Sequence, residues 1–78
     1  MADERMNTTT TMVRIAEAIR TERARQGLDQ ATLALIADVA VRSVSRIENA
    51  HATVRMDVVL RVLSALGLEL DVRSRERR

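Results

Sequence analysis

The chain reads as short apolar-periodic segments separated by brief interruptions. Met12, Ile15, Ala16 and Ile19 recur at three- and four-residue steps, with Arg14, Glu17 and Arg20 on the other side. That spacing gathers the apolar set on one face of a 3.6-residue period and predicts a first helix over 12–26. Gly27 stops it, since glycine accepts the left-handed backbone at which helices end. Asp29 then offers a carboxylate to the free amides of a new first turn. A second helix is expected over 30–37, with Leu33, Ala34 and Ala37 inward. Asp38, Val39 and Ala40 interrupt the period. A third helix follows over 41–49, with Val44 and Ile47 inward and Arg42, Ser43, Ser45 and Arg46 outward.

Residues 50–55 read as a loop, and the neighbourhood of Asp57 opens a fourth helix that ends at Gly67. This helix carries two apolar lines. Met56, Val59, Leu60 and Leu63 form one, and Val58, Val62 and Ala65 form the other. The second line could simply widen the core, but a domain this small has little internal surface to cover both, so it is expected to meet a partner subunit. Beyond Gly67 the period changes to two: Leu68, Leu70 and Val72 alternate with Glu69, Asp71 and Arg73. Alternation predicts a strand, and a lone strand needs a ladder partner for its amides and carbonyls. The expectation is therefore an all-α fold of four to five short helices plus a short C-terminal β-strand paired across a homodimer. The expected dimer interface is Val58, Val62, Ala65, Leu68, Leu70 and Val72. In outline, residues 1–10 form a disordered lead-in, 11–67 the helical domain, 68–73 the dimerisation strand and 74–78 a disordered tail.

Composition narrows the chemistry. The 78 residues contain no cysteine, no proline, no aromatic residue and one histidine, His51. Disulfides and thiolate metal sites are thereby excluded as staples, which leaves helix packing and oligomerisation to stabilise so short a chain. No cofactor or metal is expected. A catalytic reading is poor, because there is no thiol nucleophile, no glycine-rich phosphate loop and no core large enough for a pocket. Without aromatic platforms, stacking on single-stranded nucleic acid is also disfavoured. The net charge of +2 is too small to identify a polyanion partner by itself, so placement decides. No apolar run approaches a membrane span, and the N-terminal residues do not read as a secretory leader, which makes the cytoplasm the expected compartment.

Two short helices joined by a three-residue break, the second with arginines on its outer face, are the physical description of a helix-turn-helix. Such a unit lays its second helix in the DNA major groove, where each base pair shows a distinct donor and acceptor pattern. The residues Leu28-Asp29-Gln30-Ala31-Thr32-Leu33-Ala34, then Val39, then Ser43-Val44-Ser45-Arg46-Ile47-Glu48-Asn49 resemble the lambda-repressor-like family, which includes Cro and the xenobiotic-response-element regulators. Leu-Thr-Gln, Leu-Ala, Gly-Val and Ile-Glu-Asn-Gly occur there at the same spacings. The stretch 53–70 is similar to a narrower group, the HipB-type antitoxins, and the resemblance as a whole covers residues 15–73.

The resemblance implies a role for each matching position. Val41, Arg42, Ser43 and Arg46 fall at groove-facing positions, with Arg42 and Arg46 suited to guanine O6 and N7. Gln30, Asn49, His51 and Arg55 fall where the family touches phosphates. Arg23 and Glu48 match a structural ion pair between the first and third helices. For several of these the residues alone leave a plainer option open. Arg55 can pair with Asp57, His51 can be an exposed loop residue, and Gln30 an ordinary first-turn residue. Three positions depart from the family pattern: Asp38 stands for the turn glycine, Ala40 for a serine or threonine cap, and Ala50 for the glycine after the third helix.

The implied function is a dimeric repressor on palindromic double-stranded DNA. On the narrower resemblance it is the antitoxin of a type II pair that represses its own operon and binds a HipA-type kinase toxin. A stand-alone phage-type or metabolic repressor, and a dimerisation module without DNA binding, are the alternatives.

Overall fold

The computed structural model describes residues 8–51 and 53–74, and all of their regular structure is helical. Four helices follow in order: α1 (Thr8–Arg25), α2 (Gln30–Ala37), α3 (Val41–Glu48) and α4 (Met56–Ala65). α3 packs against α1, α2 and α4, and α2 also packs on α4. The shared core is Ile19, Leu33, Val44, Ile47 and Val62, each fully buried, with Ala34, Val59, Leu63 and Leu66 around them. The inward residues expected from the apolar period on α2 and α3 lie in this core.

α2 begins where the Asp29 carboxylate accepts the Thr32 amide at 2.7 Å, which satisfies one of the orphan donors of a first turn. This contact and the nearby Arg23 charge hold the Asp29 carboxyl below its ordinary range, the Thr32 amide contributing most. All four helices end in the same way. Gly27, Asp38, Ala50 and Gly67 take positive φ. The residue after each donates back five positions: Leu28 to Arg23 (3.1 Å), Val39 to Ala34 (3.0 Å), His51 to Arg46 (3.0 Å) and Leu68 to Leu63 (2.8 Å). Asp38 and Ala50 therefore hold a left-handed backbone that glycine takes without strain, at a cost of about 1–2 kcal/mol for an L-residue. α3 starts at Ala40 with no side-chain cap.

Three expectations are corrected. α1 starts at Thr8, so the threonines expected in a disordered lead-in are helical to that point; the packing of Ile15 and Ile19 outweighs the few tenths of a kcal/mol that each β-branched residue costs. Residues 1–7 and 75–78, the rest of the expected disordered ends, lie outside the described residues. Val62, expected at a dimer surface, is fully buried within the chain, while Met56 and Leu60, assigned to the inward line, are exposed. The core thus takes a stripe of α4 rotated from the expected one, with Val58 and Ala65 half-buried at its fringe. Finally, residues 68–74 form no strand. Leu68 packs on the core, and Leu70 and Val72 are exposed. The alternation is real, but a single chain supplies no second strand to complete a ladder. No helix among the described residues is long and apolar enough to cross a membrane.

Candidate nucleic-acid interface

α3 is short, yet it is tied down at its last residue by two other helices. Glu48 is only 4% exposed. Its carboxylate accepts Arg23 Nε at 2.6 Å and Arg23 Nη2 at 3.0 Å, one on each oxygen, and Gln30 Nε2 at 3.0 Å. Arg23 Nη1 also donates to the Leu28 carbonyl at 2.8 Å, and Arg20 Nη1 donates to the Glu48 carbonyl. Burial alone would push the Glu48 carboxyl upward. The hydrogen bonds from Arg23 and Gln30, with the charges of Arg23 and Arg20, outweigh it and hold the group below its ordinary value. No buried side-chain nitrogen or oxygen among the described residues lacks a partner, so the network is fully satisfied.

The opposite side of α3 is open. Val41 is half exposed and Arg42 exposed on the first turn; Ser43 and Arg46 are half-buried. Among the described residues Arg42 makes no hydrogen bond or ion pair. Arg46 makes one, from Nη2 to the Thr53 carbonyl at 3.0 Å, which leaves most of its five donors free. Arg42 and Arg46, one turn apart, thus share an outward side of α3 that the Glu48 network fixes from behind, with Val41 exposed at the start of the helix.

The residues expected at phosphates are more dispersed in role. Gln30 uses one amide hydrogen on Glu48 and so supports α3. Asn49 folds back, donating from Nδ2 to the Ser45 carbonyl at 2.9 Å. His51 is exposed just past α3, and Arg55 pairs with both oxygens of Asp57 at 3.1 Å in an exposed position. Sequence reasoning missed three supports. Arg20 lies one turn before Arg23 on the same face, a three-residue spacing that could have suggested it. Arg61 Nη1 reaches the Asp38 carbonyl at 3.2 Å across the α2–α3 turn, and Thr53 receives Arg46; both acceptors are backbone carbonyls, which leave no trace in side-chain identity. No cluster of three metal-ligating side chains forms among the described residues.

A helix-turn-helix family model matches residues 19–72, more than half of the chain. The chain belongs to the lambda-repressor-like helix-turn-helix family. In this family the unit is a DNA-binding regulatory domain, and α2, the Asp38 turn and α3 form that unit here. No curated protein and no solved structure matches the chain.

Proposed function

We propose that this helix-turn-helix protein is a sequence-specific transcriptional repressor that reads a palindromic operator as a homodimer. The observation that carries the reading is the state of α3: an exposed Arg42, without a partner among the described residues, next to exposed Val41 on a helix whose back is clamped through Glu48. A guanidinium held out on a rigid helix suits bidentate contact with guanine, and an aliphatic side chain next to it suits a thymine methyl. Ser43 and Arg46 complete the base-reading set. Asn49, His51 and Arg55 flank it as phosphate contacts, with Gln30 reaching the strand from the start of α2. Selecting duplexes from a random-sequence library, then comparing wild type with Arg42→Ala on the enriched sequence, tests this. Equal binding by the two proteins would remove the recognition role.

The dimer is proposed on exposed apolar surface. Leu70 and Val72, with Met56 and Leu60 on α4, lie uncovered, and residues 68–73 have the alternation to pair with their own copy about a two-fold axis. Sedimentation of the full chain against one truncated after Gly67 tests this; equal dimerisation would remove the strand pairing. Within the repressor class, the likeness of residues 53–70 to HipB-type antitoxins supports an antitoxin that binds a HipA-type kinase. A kinase-like reading frame adjacent in the genome, with co-purification of its product, is the test.

A further inference from the structure

We propose that the backbone carbonyl of Thr53 is a positioning group for Arg46, setting its guanidinium for base readout before DNA arrives. The inference rests on the recognition-helix reading above. The two arginines of α3 differ in the free protein. Arg42 is exposed and without a partner among the described residues, whereas Arg46 is half-buried and donates from Nη2 to Thr53 at 3.0 Å. One guanidinium hydrogen is used. The second hydrogen on Nη2 and those on Nη1 and Nε stay available, and a bidentate approach to guanine O6 and N7 needs two of them side by side. A free arginine loses rotamer freedom when it docks, while a tethered one has lost part of it already.

The acceptor is itself anchored. Val54, the residue after Thr53, is half-buried against the core. On the other side, the chain leaving α3 is fixed by Ala50 donating to Ile47 at 2.9 Å and His51 donating to Arg46 at 3.0 Å. The tether therefore joins α3 to a fixed point and restricts where the Arg46 head can travel. Its effect is on discrimination: a guanidinium held in one place tolerates a displaced or altered base edge less well than the untethered Arg42 does.

The test is a single-atom change. Synthesis of the full chain with Val54 replaced by its α-hydroxy analogue turns the Thr53–Val54 amide into an ester, whose carbonyl is a weaker acceptor. No hydrogen bond from the Val54 amide occurs among the described residues, so the exchange removes no donor that the fold uses. The probe is the duplex enriched by the wild-type protein. Affinity is expected to fall by about three- to tenfold, on the scale of one weakened hydrogen bond. The loss should concentrate at the base pair where Arg46→Ala relaxes preference, with the salt dependence unchanged. In an Arg46→Ala background the ester should have no further effect. In the free wild-type protein, the Arg46 Nε–H should be more ordered by relaxation than that of Arg42, a measurement that stands even if the ester form folds poorly. Unchanged or tighter binding by the ester, an equal loss in the Arg46→Ala background, or equal mobility of the two arginines would each overturn the proposal. Enrichment of no duplex at all would instead overturn the recognition reading, and this one with it.

Discussion

The two faces of α3 are built to opposite rules. On the inner face Val44 and Ile47 are fully buried, and Glu48, the one buried charged residue of the described chain, has every acceptor occupied. The outer face leaves Val41 and Arg42 in solvent, with Arg42 unpartnered among the described residues. The eight residues thus divide into a side that holds the helix and a side that, apart from the Arg46 bond to the Thr53 carbonyl, is turned to solvent. The division has an energetic meaning. A charge on the inner face is costly to unpair, because its partner would stay desolvated without compensation. Charges on the outer face are worth little to the fold, which frees them for another polyanion. Substitutions on one face should therefore register in stability and on the other in binding.

The inner face should give the largest effect. Glu48→Ala strips Arg23 Nε and Nη2 and Gln30 Nε2 of their shared carboxylate, and breaking a buried pair costs roughly 3–5 kcal/mol. Because Arg23 keeps 20% exposure, the lower end, about 3 kcal/mol, is expected in urea titration. A loss below about 0.5 kcal/mol would place the network among ordinary surface pairs. The same carboxyl predicts a pH dependence. Its folded value lies below the ordinary glutamate value of 4.5, so the folded state binds fewer protons than the unfolded one. Stability from this group is complete above that unfolded value and is lost as pH falls through the folded one. Asp29 acts in the same direction, and so does Glu22, lowered to about 2 by hydrogen bonds from Arg25 and Gln26. Thermal melts should fall progressively below pH 4.5, and Glu48→Gln should flatten part of that slope.

Arg42→Ala is the mirror experiment on the outer face. Loss of one bidentate guanine contact is worth about 1–3 kcal/mol, or roughly tenfold to more than a hundredfold in operator affinity, concentrated at one base pair. Stability should stay within about 0.5 kcal/mol of wild type, as for a surface substitution without partners. A melting point lowered in step with affinity would erase the distinction between the faces.

The inner face was far more legible in the sequence than its surroundings. Leu33, Val44 and Ile47 follow from the apolar period, and the start of α2 follows from Asp29, because period and capping act over a few residues. The Arg23–Glu48 pair was implied by the family likeness, since residues 25 positions apart carry no local sign of meeting. α4 was misread for a physical reason. Its two apolar lines are equally continuous along the helix, and only the packing of α4 on α2 and α3 decides that Val62 goes in while Met56 and Leu60 stay out. No strand forms at 68–73 in the single chain, because alternation reports a two-faced segment, whereas a ladder needs a second segment to pair with. On the outer face, exposure of Arg42 was foreseeable. The Thr53 carbonyl holding Arg46 was not, as every residue owns such a carbonyl.

The junctions at the two ends of α3 sharpen the comparison further. Asp38 and Ala50 both hold positive φ, while the turns after α1 and α4 use Gly27 and Gly67. Ala50→Gly relieves the clash of a Cβ in the left-handed region, though the unfolded chain gains freedom in exchange. A net stabilisation of about 0.5–1 kcal/mol is expected in urea titration. Since the backbone of the turn is unchanged, operator preference should be unaltered. A destabilisation would mean that the Ala50 side chain contributes packing that offsets its strain.

Arg55 should have the smallest effect on the fold, and it tests where the outer face ends. Its pair with Asp57 is bidentate at 3.1 Å but 81% and 51% exposed on its two sides, so Arg55→Ala should change stability by no more than about 0.5 kcal/mol. If Arg55 instead serves DNA, the variant should bind all sequences more weakly by a similar factor and reduce the salt slope by about one. A uniform loss with a shallower slope would extend the DNA-facing surface past α3 to the start of α4. Unchanged binding and slope would confine that surface to α3 and assign Arg55 to its neighbour Asp57 alone.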